Sequence, residues 1–267
     1  GLHKYQGDNF SPKGHKYIRE YSSDTVPRTL YRVGGVIFSK EKVFSLYENR
    51  IMIKYTLEDA HSATTLRFRP FLAFRSVKSL TQANGNVNQS YTEVPNGIKT
   101  CMYHGYPELY MQFNKKVKFV YEPYWYNGIE YPKEQERGYP YKEDLYVPGY
   151  FEIPIKKGES IIFSAGDSPV ATTRLKSLYE NEVNARTPRT SFFNCLKNSA
   201  QQFYFRPKED DAYLLAGYPW FKVRARDLFV ALPGCTLSIA DPVRFEKIMH
   251  TAMPAVRAYM AENKPDA

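Results

Sequence analysis

Cysteine is scarce in this chain of 267 residues. There are three, Cys101, Cys195 and Cys235, widely separated and odd in number. That excludes a disulfide framework and a zinc knuckle, and it predicts three buried free thiols. No run approaches the roughly 18 consecutive apolar residues of a membrane span, and the opening Gly1-Leu2-His3-Lys4-Tyr5-Gln6-Gly7-Asp8 has no apolar core of signal-peptide length. The expectation is a soluble, reducing, cytoplasmic setting without a membrane partner. His61, His104 and His250 stand apart from one another and from any Cys or carboxylate at ligand spacing, so no metal or cofactor is expected. None is an evident catalytic base.

Tyrosine is present in excess. There are 23 Tyr and 17 Phe but only 2 Trp, an aromatic share of 16%, and phenol rings suit surfaces that are apolar and hydrogen-bonding at once. The net charge of +9 is uneven: residues 1–118 hold 18 basic against 9 acidic groups, and residues 119–144 hold 3 against 6. Lys115, Lys116 and Lys118 lie beside Phe113, Phe119 and Tyr121, a pattern that suits a nucleic-acid groove. A solvated strand face explains it better, and no nucleic-acid partner is expected.

Up to about residue 165 the dominant period is two. In 50–57, Ile51, Ile53, Tyr55 and Leu57 share one face while Met52, Lys54 and Thr56 share the other, which predicts a half-buried strand. The same alternation recurs at 29–33, 36–39, 42–47, 64–68, 98–103, 109–113, 116–121, 149–155 and 160–164, broken by turn residues such as Gly34-Gly35 and Asn84-Gly85. Many short strands predict a mainly β, antiparallel sandwich. After Asp167-Ser168-Pro169 the period lengthens, and helices are expected at 170–185, 191–203, 228–240 and 242–260. Asp241 caps the last and Pro233 interrupts the third. The expected organisation is a β domain over 1–167, a helical linker over 168–190 and a helical segment over 191–267.

Two segments stand out chemically. Residues 122–151 are too long, acidic and aromatic for a passive connection. Tyr and Trp faces pack on the C–H surface of a sugar ring while neighbouring carboxylates bond its hydroxyls, so Trp125, Tyr126, Glu143 and Asp144 are candidate carbohydrate contacts, with Tyr150 as a further ring. The plain alternative is that Glu136, Arg137, Glu143 and Asp144 fasten a long loop to the sandwich. In 214–234, Gly217-Tyr218-Pro219-Trp220 forms a turn and Arg226-Asp227 opens a helix. Asp227 suits an ordinary helix start. The functional reading is that Arg226 and Asp227 clasp sugar hydroxyls while Tyr218 and Trp220 wall the ring.

The combination Tyr124-Trp125-Tyr126, Glu130-Tyr131, Glu134, Glu136-Arg137-Gly138, Glu143-Asp144, Pro148-Gly149 and Phe151, followed by Gly217-Tyr218-Pro219-Trp220-Phe221, Arg226-Asp227 and Ala231-Leu232-Pro233-Gly234, resembles the bacterial and archaeal glycogen debranching enzymes. The likeness extends through Gly34-Gly35 to Lys42, Tyr55 and Arg69-Pro70-Phe71-Leu72. It implies an amino-terminal β-supersandwich joined to an (α/α) toroid that removes the α-1,6-linked glucose stub of a glycogen branch. It also implies that of the toroid this chain holds only the first helices, so its partners are glycogen or a branched malto-oligosaccharide and the missing C-terminal catalytic domain. Hydrolysis of this kind takes two carboxyl groups flanking the bond. The resemblance puts them in later toroid loops, leaving no catalytic residue here. Lys222-Val223-Arg224-Ala225 replaces the more usual Thr-Asp-Trp-Gly, and Leu228 the usual Thr, so an aromatic wall of that segment is missing. A non-enzymatic carbohydrate-binding sandwich is the competing expectation, and a self-contained hydrolase using Glu136 and Asp144 the weakest.

Overall fold

The computed structural model describes residues 1–46, 48–206, 211–218 and 221–263. The strands are β1 (His3–Tyr5), β2 (Asn9–Ser11), β3 (Ile18–Ser22), β4 (Arg28–Val33), β5 (Val36–Phe44), β6 (Arg50–Asp59), β7 (Thr64–Phe68), β8 (Thr92–Val94), β9 (Gly97–Thr100), β10 (Leu109–Phe113), β11 (Lys118–Glu130), β12 (Lys142–Ile155), β13 (Ser160–Gly166), β14 (Tyr204–Phe205) and β15 (Tyr213–Leu214). The α-helices are α1 (Pro132–Glu136), α2 (Leu175–Asn184), α3 (Phe192–Gln201), α4 (Ala225–Cys235) and α5 (Pro242–Glu262). Chain contacts divide the protein into two compact units, 1–185 and 186–267.

The first unit is mainly β, as the period of two predicts. One sheet has the order β2-β1-β11-β12-β7, the other β3-β4-β5-β6-β13-β10-β9-β8, and every pairing is antiparallel. Its main core draws on both sheets: Phe113 and Ile161 from one meet Phe151 and Ile153 from the other. Alternation along β6 explains the second core. Leu57 joins the main cluster, whereas Met52, on the opposite parity, meets Val26, Val43, Ile162, Leu175 and Tyr179.

Leu175 and Tyr179 lie one helical turn apart on α2, which explains why this helix belongs to the first unit. Full burial of Leu175 contributes about 2 kcal/mol. The segments expected at 36–39 and 42–47 form one strand, β5, since Ser39 and Val43 are both buried along a continuous ladder with β6; Tyr47 lies outside the described residues. The cysteines are half-buried and free, rather than buried as expected, and Cys101 Sγ donates to the carbonyl of Tyr103 at 3.1 Å.

The second unit holds α3, α4, α5 and the β14-β15 hairpin around Leu214, Leu228, Leu232, Ile248 and Ala252. Ser191 caps α3 by accepting from the N–H of Asn194 at 3.1 Å. Asp241 caps α5 by accepting from the N–H of Arg244 at 3.1 Å, as its position predicts. Pro233 does not stop α4. It stands in the last turn, where it removes one i→i−4 bond and little helix follows it, and α4 closes two residues later at Cys235.

Candidate functional site

Residues 122–151 are a hairpin rather than a loop. The long strands β11 and β12 pair from Lys118 opposite Glu152 to Glu130 opposite Lys142, and α1 caps the tip with Pro132 in its first turn. Two register shifts, between Tyr121 and Tyr124 and between Tyr126 and Ile129, disguise this pairing in sequence. The second is held by Asp144, whose carboxylate accepts from the N–H of Gly128 at 2.7 Å and of Ala83 at 2.8 Å. Gly128 has φ +69°, which a residue with a Cβ adopts only at a cost.

Glu143 is wholly buried. It accepts from Arg75 on both oxygens, from the Tyr131 hydroxyl at 2.5 Å and from the N–H of Thr81 at 3.1 Å. Burial raises its pKa, but the Arg75, Tyr131 and Thr81 donors outweigh that and hold it below the ordinary value. Burial and the adjacent carboxylate push Tyr131 up to about 12. With its oxygens occupied and no exposed surface, Glu143 has a structural place: it ties 75–81 to β12 and is not open to a sugar. Asp144 is likewise engaged by two backbone donors. Glu136 pairs with Lys133 at 2.8 Å on the helix tip, whereas Asp144 bonds the N–H groups of Gly128 and Ala83.

Trp125 packs on the core with its ring 5.4 Å from that of Tyr146, so the indole is a core residue more than an open platform. Tyr126 belongs to a continuous series of rings and guanidiniums. His3 stacks on Phe71 at 4.7 Å, Phe71 lies 4.4 Å from Tyr126, and Tyr126 lies 4.7 Å from Tyr124. The two phenol hydroxyls share a hydrogen bond. Arg69 Nη1 donates to the Tyr124 hydroxyl at 2.6 Å, and its guanidinium lies 4.8 Å from the Tyr150 ring, which Arg67 covers from 4.3 Å. Glu152 pairs with Arg67 at 2.7 Å and Glu122 with Arg69 at 3.4 Å. Phe71, Arg67 and Arg69 were not singled out as site residues from the sequence. The usable signal is the run Arg67-Phe68-Arg69, where a strand period brings both guanidiniums to one face.

In the second unit the turn at Gly217 is closed by the N–H of Phe221 donating to the Gly217 carbonyl at 2.9 Å. Tyr218 is 64% exposed, while Pro219 and Trp220 lie outside the described residues. Arg226 and Asp227 are exposed in the first turn of α4, above the buried Leu228. Arg224 sits over the Phe221 ring at 4.8 Å. This end of α4 exposes the Arg226 guanidinium and the Asp227 carboxylate to solvent.

Of the rings beside the basic strip near 115, Phe113 is fully buried and Phe119 packs on the core, while Tyr121 is exposed; Lys115 bonds the Pro154 carbonyl at 2.8 Å. Among the described residues no three His, Cys, Asp or Glu side chains gather to hold a metal, and no helix is long and apolar enough to cross a membrane.

A family model described as glycogen debranching enzyme N terminal matches residues 1–162. No curated protein matches the chain. Four solved chains match, among them the crystal structure of a bacterial glucoamylase complexed with acarbose, with 14% identity over 79% of this chain and a TM-score of 0.37. This chain covers 35% of that solved chain, and a likeness at that level carries no argument about activity.

Proposed function

The chain belongs to the glycogen debranching enzyme N-terminal family, and on that premise we propose that it is the β domain and first toroid helices of an amylo-α-1,6-glucosidase. The family match over 162 residues carries this reading. The proposed role of the segment is to support glucan binding and assembly of the catalytic domain in the cytoplasm, without catalysis of its own. Hydrolysis takes a positioned pair of carboxyl groups, and Glu143 and Asp144, the most conspicuous carboxylates of the β domain, are held by internal donors.

The exposed apolar surface of the second unit supports the assembly role. Phe192, Phe193 and Leu196 on α3 are 80%, 52% and 51% exposed, and Val243 on α5 is 75% exposed. Helices with apolar faces of this size suit packing against further helices. For the sugar contact in this unit we propose Arg226 and Asp227, with Tyr218 beside them; Trp220 remains a proposal from the sequence.

The test is glucose release from a limit dextrin. The 267-residue chain releases none, and the protein extended by its catalytic domain releases it. Glucose from the chain alone removes the proposal that the acids lie elsewhere. A non-enzymatic carbohydrate-binding sandwich is the second reading, favoured by the ring series around Tyr126. It requires malto-oligosaccharide binding and no glucose release from the extended protein.

A further inference from the structure

The series His3, Phe71, Tyr126, Tyr124, Arg69, Tyr150 and Arg67 is larger than the packing of β7 on β12 requires. Its members are half-buried or exposed. Its chemistry is specific in three respects. The charges are balanced internally, Arg67 by Glu152 and Arg69 by Glu122, so the strip has no surplus charge with which to attract an anion or a cation. Each guanidinium nevertheless carries five N–H donors in a plane, more than one carboxylate takes up; Arg67 gives only Nε and Nη2 to Glu152 and its side chain is 52% exposed. The Tyr124 phenol stays protonated and neutral: burial and then the Tyr126 hydroxyl push it up to about 12.

Ring carbon, neutral hydroxyls, forked donors and paired carboxylates in one line match a neutral polyhydroxylated chain. They do not match a nucleic acid, whose backbone demands unpaired cations, or a lipid, which demands an apolar face without donors. We infer that the Phe71–Tyr126–Tyr124–Arg69–Tyr150 strip is a surface site for an α-glucan chain, distinct in residues from the Tyr218–Asp227 segment. The inference rests on the reading above that the ligand is a glucan. It adds the place where the β domain holds one: Arg69 and Arg67 donate to sugar hydroxyls, and Tyr126 and Phe71 cover the C–H face.

The experiment titrates the 267-residue chain with maltoheptaose and follows affinity by calorimetry at low and high salt. Tyr126→Ala and Arg69→Ala each weaken binding about tenfold, as central anchors do, and Arg69→Lys, which keeps the charge but loses the fork, weakens it several-fold with an unchanged near-ultraviolet dichroism spectrum. Salt leaves the affinity unchanged. If the unaltered chain binds maltoheptaose and Arg69→Lys and Tyr126→Ala bind it equally well, the strip is overturned while the glucan reading stands. If the unaltered chain binds no maltoheptaose, the glucan-binding reading fails and the strip with it. Affinity falling steeply with salt overturns the neutral-ligand assignment.

Discussion

Arg75 grips both carboxylate oxygens of Glu143, a residue 68 positions further along the chain and wholly excluded from solvent. This pair, with the Tyr131 hydroxyl and the Thr81 N–H, anchors the segment after β7 onto the start of β12. A buried carboxylate without its partner is far costlier than the pair is favourable.

Arg75→Ala therefore destabilises the protein by about 3 kcal/mol, measured as a lower urea midpoint at constant slope. Arg75→Lys recovers only part of the loss, because one ammonium cannot match the two-point contact. A change within the range of ordinary surface substitutions contradicts the structural role of Glu143.

The same group sets an acid limit. Its folded-state pKa is depressed, so its contribution is present above the unfolded value and is lost as pH falls through the folded value. Stability measured by urea unfolding declines below about pH 4. Glu143→Gln is less stable at neutral pH and shows a shallower decline in that window; parallel curves for the two proteins contradict the assignment.

Gly97 is a packing constraint. A Cβ there sits 1.9 Å from the Met111 carbonyl oxygen across the β9–β10 pair. Gly97→Ala pushes these strands apart and lowers stability by about 2 kcal/mol. Gly85→Ala, with open space around it, is the control and is tolerated.

In the second unit Ile248 is fully buried against Leu214, Leu228 and Leu232. Ile248→Ala costs about 3 kcal/mol. Amide exchange reads it as faster exchange across α4 and α5, with β6 and β13 in the first unit unaffected.

The period of two and the switch to a helical period after Asp167 were legible in the chain, because each follows from which face of a strand or helix is buried. So were Asp241 as a cap and the likeness to debranching enzymes, since these live in short runs of residues. The hairpin of β11 and β12 was not legible: its two register shifts break the alternation, and its Pro and Gly residues imitate a loop. The roles of Glu143 and Asp144 were equally hidden. A carboxylate beside tyrosines suits a sugar or an anchor alike, and only tertiary structure put Arg75, Thr81, Ala83 and Gly128 within bonding distance. By itself the sequence determined the fold class and the family, which depend on local pattern. Which polar groups face inward, and which rings join Arg69 and Tyr150, depends on contacts between residues far apart in the chain, and folding alone decides those.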